Sequence, residues 1–338
     1  MKILIATDAW HPQINGVVRT LMAVEKAAGA LGATFVFITP AQFPSVPLPG
    51  YPQIPLALPN PRTIARLIGE ARADMIHIAT EGPVGHFVRR YCIAHGLPFT
   101  TSLHTRLPEY VSARVPIPER WTWTWMRRFH NAGMGVMAST PALVAELASR
   151  GFRNTMLWPR GVDTDLFRPR ADANLDFIRP VFLSVGRLAV EKNVEAFLSL
   201  KLPGSKVVVG DGPAQAELTA RFPNVHFLGA LEGEALARVY AAADIFVFPS
   251  RTDTFGLVLL EALASGVPVA AFPVTAPRDV IGTAPVGVLD EDLRRACFDA
   301  LKICRADCRA FAERLTWRRS AEAFLSHVTQ ARQNRLAA

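Results

Sequence analysis

SRTDTFGLVLLEALASGVPV, residues 250–269, joins a polar loop to an apolar helix and carries one carboxylate, Glu261, in the middle of that helix. Leu257, Val258, Leu259, Leu260, Ala262, Leu263 and Ala264 surround it, so the helix has no polar face on which a charge could rest in water. A carboxylate in such a place is expected to be buried and hydrogen-bonded. Upstream, DIFVFPS (244–250) reads as a strand and RTDT (251–254) as the loop after it. A helix starting near Phe255–Gly256 leaves the amides of Phe255, Gly256 and Leu257 without intrahelical acceptors. Such a start suits a phosphate, because Gly256 puts no side chain in the way and the helix dipole adds partial positive charge. Glu261, further along, would repel a phosphate and is better suited to accept from hydroxyl groups such as those of a sugar.

Outward from this stretch the chain alternates strand-like and helix-like segments. KILIAT, TFVFITP, MIHIAT, FTTSLHT, GVMAST and TMLWP read as strands in the first half, with helices at about 17–30, 62–72, 83–95, 118–132 and 141–150. The segment from about 163 to 180 is polar, proline-bearing and without apolar period, which is linker chemistry. A second series follows in PVFLSVG, KVVVGDG, VHFLGA, DIFVFPS and VPVAAF, with helices near 191–200, 213–221, 232–242 and 256–265. The pattern predicts an α/β protein of two doubly wound parallel-sheet units, with ligands beyond the carboxyl ends of the strands and a cleft between the units. The tail from about 310 has apolar residues at helical spacing and reads as one helix.

A chain of 338 residues with 50% hydrophobic content fits two domains. Only four apolar residues, Ile3 to Ala6, separate Lys2 from Thr7, too short a run for a secretory signal, and no stretch approaches the roughly 18 apolar residues of a spanning helix, so a cytosolic protein is expected. Cys92, Cys297, Cys304 and Cys308 lack paired metal or redox spacing and read as reduced thiols. The net charge of +8 favours an anionic partner: a phosphate-bearing small molecule, a nucleic acid or an anionic membrane.

The stretch DTFGLVLLEALASGVPV resembles the carboxyl-terminal signature of the retaining glycosyltransferases of family 4, and the resemblance extends over essentially the whole chain. It implies the GT-B fold: two facing Rossmann-like domains with a nucleotide-sugar donor between them, here 1–166 binding acceptor, 167–315 binding donor, and 316–338 a helix expected to cross back to the first. In that family the first of two acidic residues contacts the transferred sugar and the second the nucleotide ribose; Asp253 and Glu261 match their spacing, with Asp in place of the usual first Glu. Arg187 and Lys192, in SVGRLAVEKNVEAF (184–197), look like the family's cationic clamp on the diphosphate, and two cations there can stabilise a departing diphosphate without a metal. Gly210 and Asp211, at a strand end, carry over as donor-nucleotide neighbours. Asn15 and Gly16, in DAWHPQINGVVRTL, resemble the loop that closes over the donor phosphates, although they form no G-x-G-x-x-G fingerprint. His104 corresponds to a histidine that contacts the transferred sugar. The amides of Thr254, Phe255, Gly256 and Leu257 complete the phosphate cradle.

Asp163 and Asp165 form a D-x-D pattern, yet the run resembles the family's G-V-D segment at the interdomain hinge, so no metal site is expected. In PERWTWTWMRRFHNAG (118–133), Trp121, Trp125, Arg128 and Phe129 share a helical face, with Arg106, Arg114 and Arg120 nearby. Two readings stand: an interfacial helix seated on lipid headgroups, or an aromatic face filling a core. No nucleic-acid motif is present. The chain is thus expected to be a metal-independent hexosyltransferase with no cofactor beyond its donor. That donor is a UDP-sugar in preference to a GDP-sugar, and the acceptor a lipid such as diacylglycerol at the cytosolic face of an anionic membrane. The alternatives are a soluble transferase making a polysaccharide or small glycoside, and an inactive nucleotide-sugar-binding module.

Overall fold

The computed structural model describes residues 1–13, 15–48, 51–105, 108, 118–173 and 176–336. Runs of β-branched and aromatic residues bounded by turn residues form the strands. In chain order these are β1 Lys2–Ala6, β2 Thr34–Ile38, β3 Ser45–Leu48, β4 Tyr51–Ala57, β5 Met75–Ile78, β6 Phe99–Ser102, β7 Val136–Ala138, β8 Thr155–Leu157, β9 Val181–Val185, β10 Ser205–Val209, β11 His226–Phe227, β12 Ile245–Phe248, β13 Val269–Ala271 and β14 Gly287–Leu289.

The chain divides into two compact units, Met1–Pro159 with Trp317–Ala338, and Arg160–Thr316. The first contains a six-stranded sheet in the order β2-β1-β5-β6-β7-β8, the second one in the order β11-β10-β9-β12-β13-β14. Neighbouring strands are parallel throughout both sheets. Strand order reverses between β1 and β5 in one sheet and between β9 and β12 in the other, so the loops after those strands part and leave a crevice at their carboxyl ends. Both are doubly wound Rossmann-like units, the fold class that the sequence predicts.

Each sheet is buried on both faces, and its strands show why. Ile3 and Ile5 enter one core while Leu4 and Ala6 enter another. Val181 and Leu183 are likewise separated from Phe182. Alternate side chains of one strand thus feed opposite helical layers, and most positions of the central strands are apolar because neither face meets water.

Three departures from the sequence reading have local causes. The antiparallel hairpin β3–β4 was not expected, because the prolines in SVPLPGYPQIPLA interrupt any strand pattern. The helices Thr275–Ile281, Leu293–Ala300 and Arg305–Ala312 and the three-residue β14 are too short to show a period. The tail is two helices: it breaks after Arg305–Ala312, where Thr316 bridges Val162, and resumes as Trp317–Leu336.

In that last helix Ala321, Phe324, Val328 and Ala331 fall at three- and four-residue spacing and join the core of Ile3, Ile5, Leu21 and Val24. Phe324 is fully buried against the rings of Phe35 at 5.6 Å, His77 at 4.9 Å and Trp158 at 5.0 Å. Phe324→Ala should therefore cost about 3–5 kcal/mol of unfolding free energy in a urea titration. A loss below about 1 kcal/mol would show that this helix is peripheral to the first unit's core.

Candidate functional site

In the second unit the loops after β9 and β12 leave the sheet at its point of reversal. The first carries Arg187, half-buried, and then a single turn of 3-10 helix, Val190–Lys192. The second runs from Pro249 to Gly256 and carries Asp253. Side chains lace the two together: Asn193 Nδ2 donates to the Pro249 carbonyl at 3.0 Å, Thr252 Oγ1 to the Glu191 carbonyl at 3.2 Å, and Lys192 Nζ to Asp253 Oδ1. The Lys192 and Asp253 side chains are 30% and 20% exposed, so the pair is only partly screened by water. The other carboxylate oxygen, Asp253 Oδ2, is closed off from solvent and has no hydrogen-bond partner among the described residues.

The helix after this loop spans Leu257–Ala264. It starts slightly later than the sequence suggests, because Gly256 takes the left-handed conformation (φ 80°) and turns the chain into the helix. A Cβ at Gly256 would lie 3.1 Å from the Phe248 ring. No side chain caps the helix, so the amides of Leu257 and Val258 have no acceptor within it. Thr254, Phe255, Gly256 and Leu257 are all half-buried at this entrance.

Glu261 is 6% exposed, which excludes a solvated outer-face position. Its Oε2 accepts from the hydroxyl of Tyr240 at 3.0 Å. Tyr240 is itself fully buried, edge-on to Phe167 at 5.6 Å. Sequence reasoning missed Tyr240: it lies on the helix Gly233–Ala242, and no local spacing ties it to Glu261.

Gly210 and Asp211 act through their backbone. Gly210 has φ 135°, and a Cβ there would sit 2.0 Å from the Gly186 carbonyl oxygen. The Asp211 carbonyl accepts from Leu188 N–H at 2.7 Å, while its side chain is exposed. These contacts press the β10 loop against the loop that carries Arg187. Asp163 caps a turn, its Oδ1 accepting from the amides of Asp165 at 3.1 Å and Leu166 at 3.0 Å.

The point of reversal in the first unit is built differently. Asp8, just after β1, accepts from Val84 N–H at 2.7 Å, Gly85 N–H at 3.2 Å and Thr80 Oγ1 at 2.8 Å. It thereby fills the start of the helix Pro83–Ala94. Burial outweighs these bonds and raises its carboxyl pKa above the ordinary aspartate value. Asn15 caps the helix Gly16–Gly29, its Oδ1 accepting from the amides of Val17 and Val18, both at 3.0 Å; Gly16 is that helix's first residue. His104 follows β6, half-buried, with Nε2 at 2.9 Å from Ser102 Oγ. The structure thus joins Lys192 to Asp253 in the second unit, with Arg187 on the loop of Lys192 and the amides at 254–257 directly after Asp253, and places Asn15, Gly16 and His104 in the first.

The tryptophan-rich segment forms the helix Glu119–His130 and divides its aromatics. Trp123, Met126, Phe129 and His130 are buried, while Trp121 (65%) and Trp125 (38%) are exposed, as are Arg120, Arg127 and Arg128. Phe129 therefore lies on the core face and not with Trp121 and Trp125. Arg89 fastens this helix to its neighbour, donating to the carbonyls of Phe129 at 2.9 Å and Arg128 at 2.8 Å. Arg106 and Arg114 lie outside the described residues.

Residues 14–166 match the family model described as Glycosyltransferase Family 4, and residues 179–315 match Glycosyl transferases group 1. A GDP-mannose-dependent alpha-mannosyltransferase of Mycobacterium tuberculosis (strain CDC 1551 / Oshkosh) is 31% identical over 86% of this chain and 83% of its own length. An alpha-monoglucosyldiacylglycerol synthase of Streptococcus pneumoniae (strain ATCC BAA-255 / R6) is 26% identical over 89% of this chain and 78% of its own. Among solved structures, sucrose-phosphate synthase from Thermosynechococcus elongatus superposes with a TM-score of 0.78 at 21% identity, covering 100% of both chains. A shared architecture at that identity speaks for the fold alone, and the sequence relatives speak for the chemistry. The chain belongs to glycosyltransferase family 4 and moves a sugar from a nucleotide sugar.

Proposed function

We propose that this enzyme transfers a hexosyl or hexuronosyl group to the hydroxyl of a membrane lipid such as diacylglycerol, with retention at the anomeric carbon and without a metal ion. The observation that carries this reading is the Lys192–Asp253 pair beside an uncapped helix start, where the second sheet reverses its strand order. A diphosphate leaving group gains charge as the glycosidic bond breaks. Arg187, Lys192 and the amides of Thr254 to Leu257 offer fixed positive potential to that charge. The departing phosphate takes the acceptor's proton as the acceptor oxygen bonds to the anomeric carbon, so no protein nucleophile is required.

An incoming diphosphate competes with Asp253 for Lys192. Asp253 is then released to accept from hydroxyls of the transferred sugar, which His104 also contacts. Glu261, braced by Tyr240, accepts from the ribose. Gly210 and Asp211 shape the loop beside the nucleotide, and Asn15 and Gly16 form the helix start that closes over the phosphates. For the base we favour uridine, while the name of the mycobacterial relative supports guanosine. The lipid acceptor is supported by the name of the pneumococcal relative and by the exposure of Trp121 and Trp125 among arginines.

A thermal-shift panel of UDP- and GDP-sugars tests the donor: the correct one, at 100 times its dissociation constant, should add about 2.7 kcal/mol of stability. Arg187→Ala and Lys192→Ala should each lower kcat by about 10²–10³-fold, by analogy with loss of one fixed donor to a developing anion. Unchanged turnover in either would overturn the clamp. Anionic vesicles at low salt should carry the wild-type protein to the top of a density gradient and carry Trp121→Ala/Trp125→Ala less well. Failure of the wild type to float would favour a soluble acceptor. Addition of a metal chelator should leave transfer within about twofold, and total loss would disprove metal independence.

A further inference from the structure

Beneath His104 lies a buried chain of hydrogen bonds that the proposed chemistry does not yet use. His77, on β5, is fully buried, its Nδ1 2.9 Å from Thr100 Oγ1 and its Nε2 3.0 Å from Ser102 Oγ. Ser102 Oγ in turn lies 2.9 Å from His104 Nε2 and 3.4 Å from the Ala79 carbonyl. Thr100 and Ser102 sit two apart on β6, so both hydroxyls point from the same face of the sheet, toward the imidazole on the neighbouring strand.

Counting protons fixes the direction of the chain. Thr100 is fully buried, and among the described residues its hydroxyl has one partner, His77 Nδ1. If Nδ1 carried the proton, the threonine's own proton would be stranded in the core, at the full cost of an unmet buried donor. The threonine therefore donates to Nδ1, and the single ring proton of His77 lies on Nε2, donating to Ser102. Ser102 Oγ has one proton left to give. The 2.9 Å contact to His104 is the better bond than the 3.4 Å contact to the Ala79 carbonyl, so the serine donates to His104 Nε2. The ring proton of His104 is thereby placed on Nδ1.

The geometry points to Thr100, His77 and Ser102 as positioning residues that hold His104 in its Nδ1–H tautomer, the form in which that nitrogen is a donor. The aromatic packing keeps the chain in place. Phe324 meets the edge of His77 at 4.9 Å, and Trp158 packs on both His77 at 5.9 Å and His104 at 5.7 Å. Trp158 Nε1 donates to the Ser320 carbonyl at 3.2 Å, which ties this wall to the terminal helix Trp317–Leu336. The role in catalysis rests on the proposed contact of His104 with the transferred sugar; the tautomer does not.

Long-range proton–nitrogen NMR of the ligand-free protein, with His104 assigned by its loss in His104→Gln, reads the tautomer directly. Wild type should show His104 protonated on Nδ1, and Ser102→Ala should move the proton to Nε2. Ser102→Ala should also lower kcat at least tenfold while KM for the donor stays within twofold. A wild-type Nε2–H ring, or an unmoved tautomer in Ser102→Ala, overturns the positioning chain. Full activity of His104→Ala alongside the expected tautomers instead overturns the sugar contact and, with it, the catalytic role of the chain.

Discussion

The proposed donor site hangs on one ion pair. Lys192 and Asp253 belong to loops that follow adjacent, parallel strands, β9 and β12, and their side chains bridge the crevice where the strand order reverses. Two opposite charges that face each other at partial burial offset part of each other's desolvation. The same pairing keeps both groups in reserve: a diphosphate that draws Lys192 away leaves a carboxylate ready for sugar hydroxyls. In the proposed mechanism phosphate binding and sugar recognition are in this way parts of a single exchange.

The two units share a topology and differ at the corresponding position, and the difference is a single carboxylate. In the first unit Asp8 occupies the start of the helix Pro83–Ala94, with its oxygens on Val84, Gly85 and Thr80. A Cβ on Gly82 would lie 2.4 Å from the Asp8 carboxyl carbon, so that helix start has no room for another anion. In the second unit the equivalent place, two residues past β9, is taken by Arg187, and the helix Leu257–Ala264 after β12 has no side-chain cap among the described residues. On the proposed reading the chain fills one of these two helix starts with its own carboxylate and leaves the other for the donor diphosphate. Gly210, packed on the Gly186 carbonyl, adds rigidity to the loop that carries Arg187.

Much of this was legible in the sequence because the signals are local. Apolar runs such as VFLSV and IFVF could only be strands buried on both faces, and Glu261 among leucines could only be a bonded, buried carboxylate. The resemblance to family 4 then joined Arg187 and Lys192 to Asp253, which spacing alone could not do. Other features depend on partners distant in the chain. Tyr240 beneath Glu261 and Asp8 at Val84 are invisible until the sheet is assembled. His77 read as one polar residue in the strand MIHIAT, and nothing in that strand announces Thr100, Ser102 or His104. The helix Glu119–His130 was legible as amphipathic, but which tryptophans faced inward depended on the arginine anchor at Arg89.

Isothermal titration of wild type and Asp253→Asn with free UDP and GDP tests the exchange at Lys192 most directly. If the diphosphate must win Lys192 from Asp253, the substitution should tighten binding of the preferred nucleotide by roughly five- to tenfold, the effect of removing one competing partner of a partly buried pair. Unchanged or weaker binding would contradict the account.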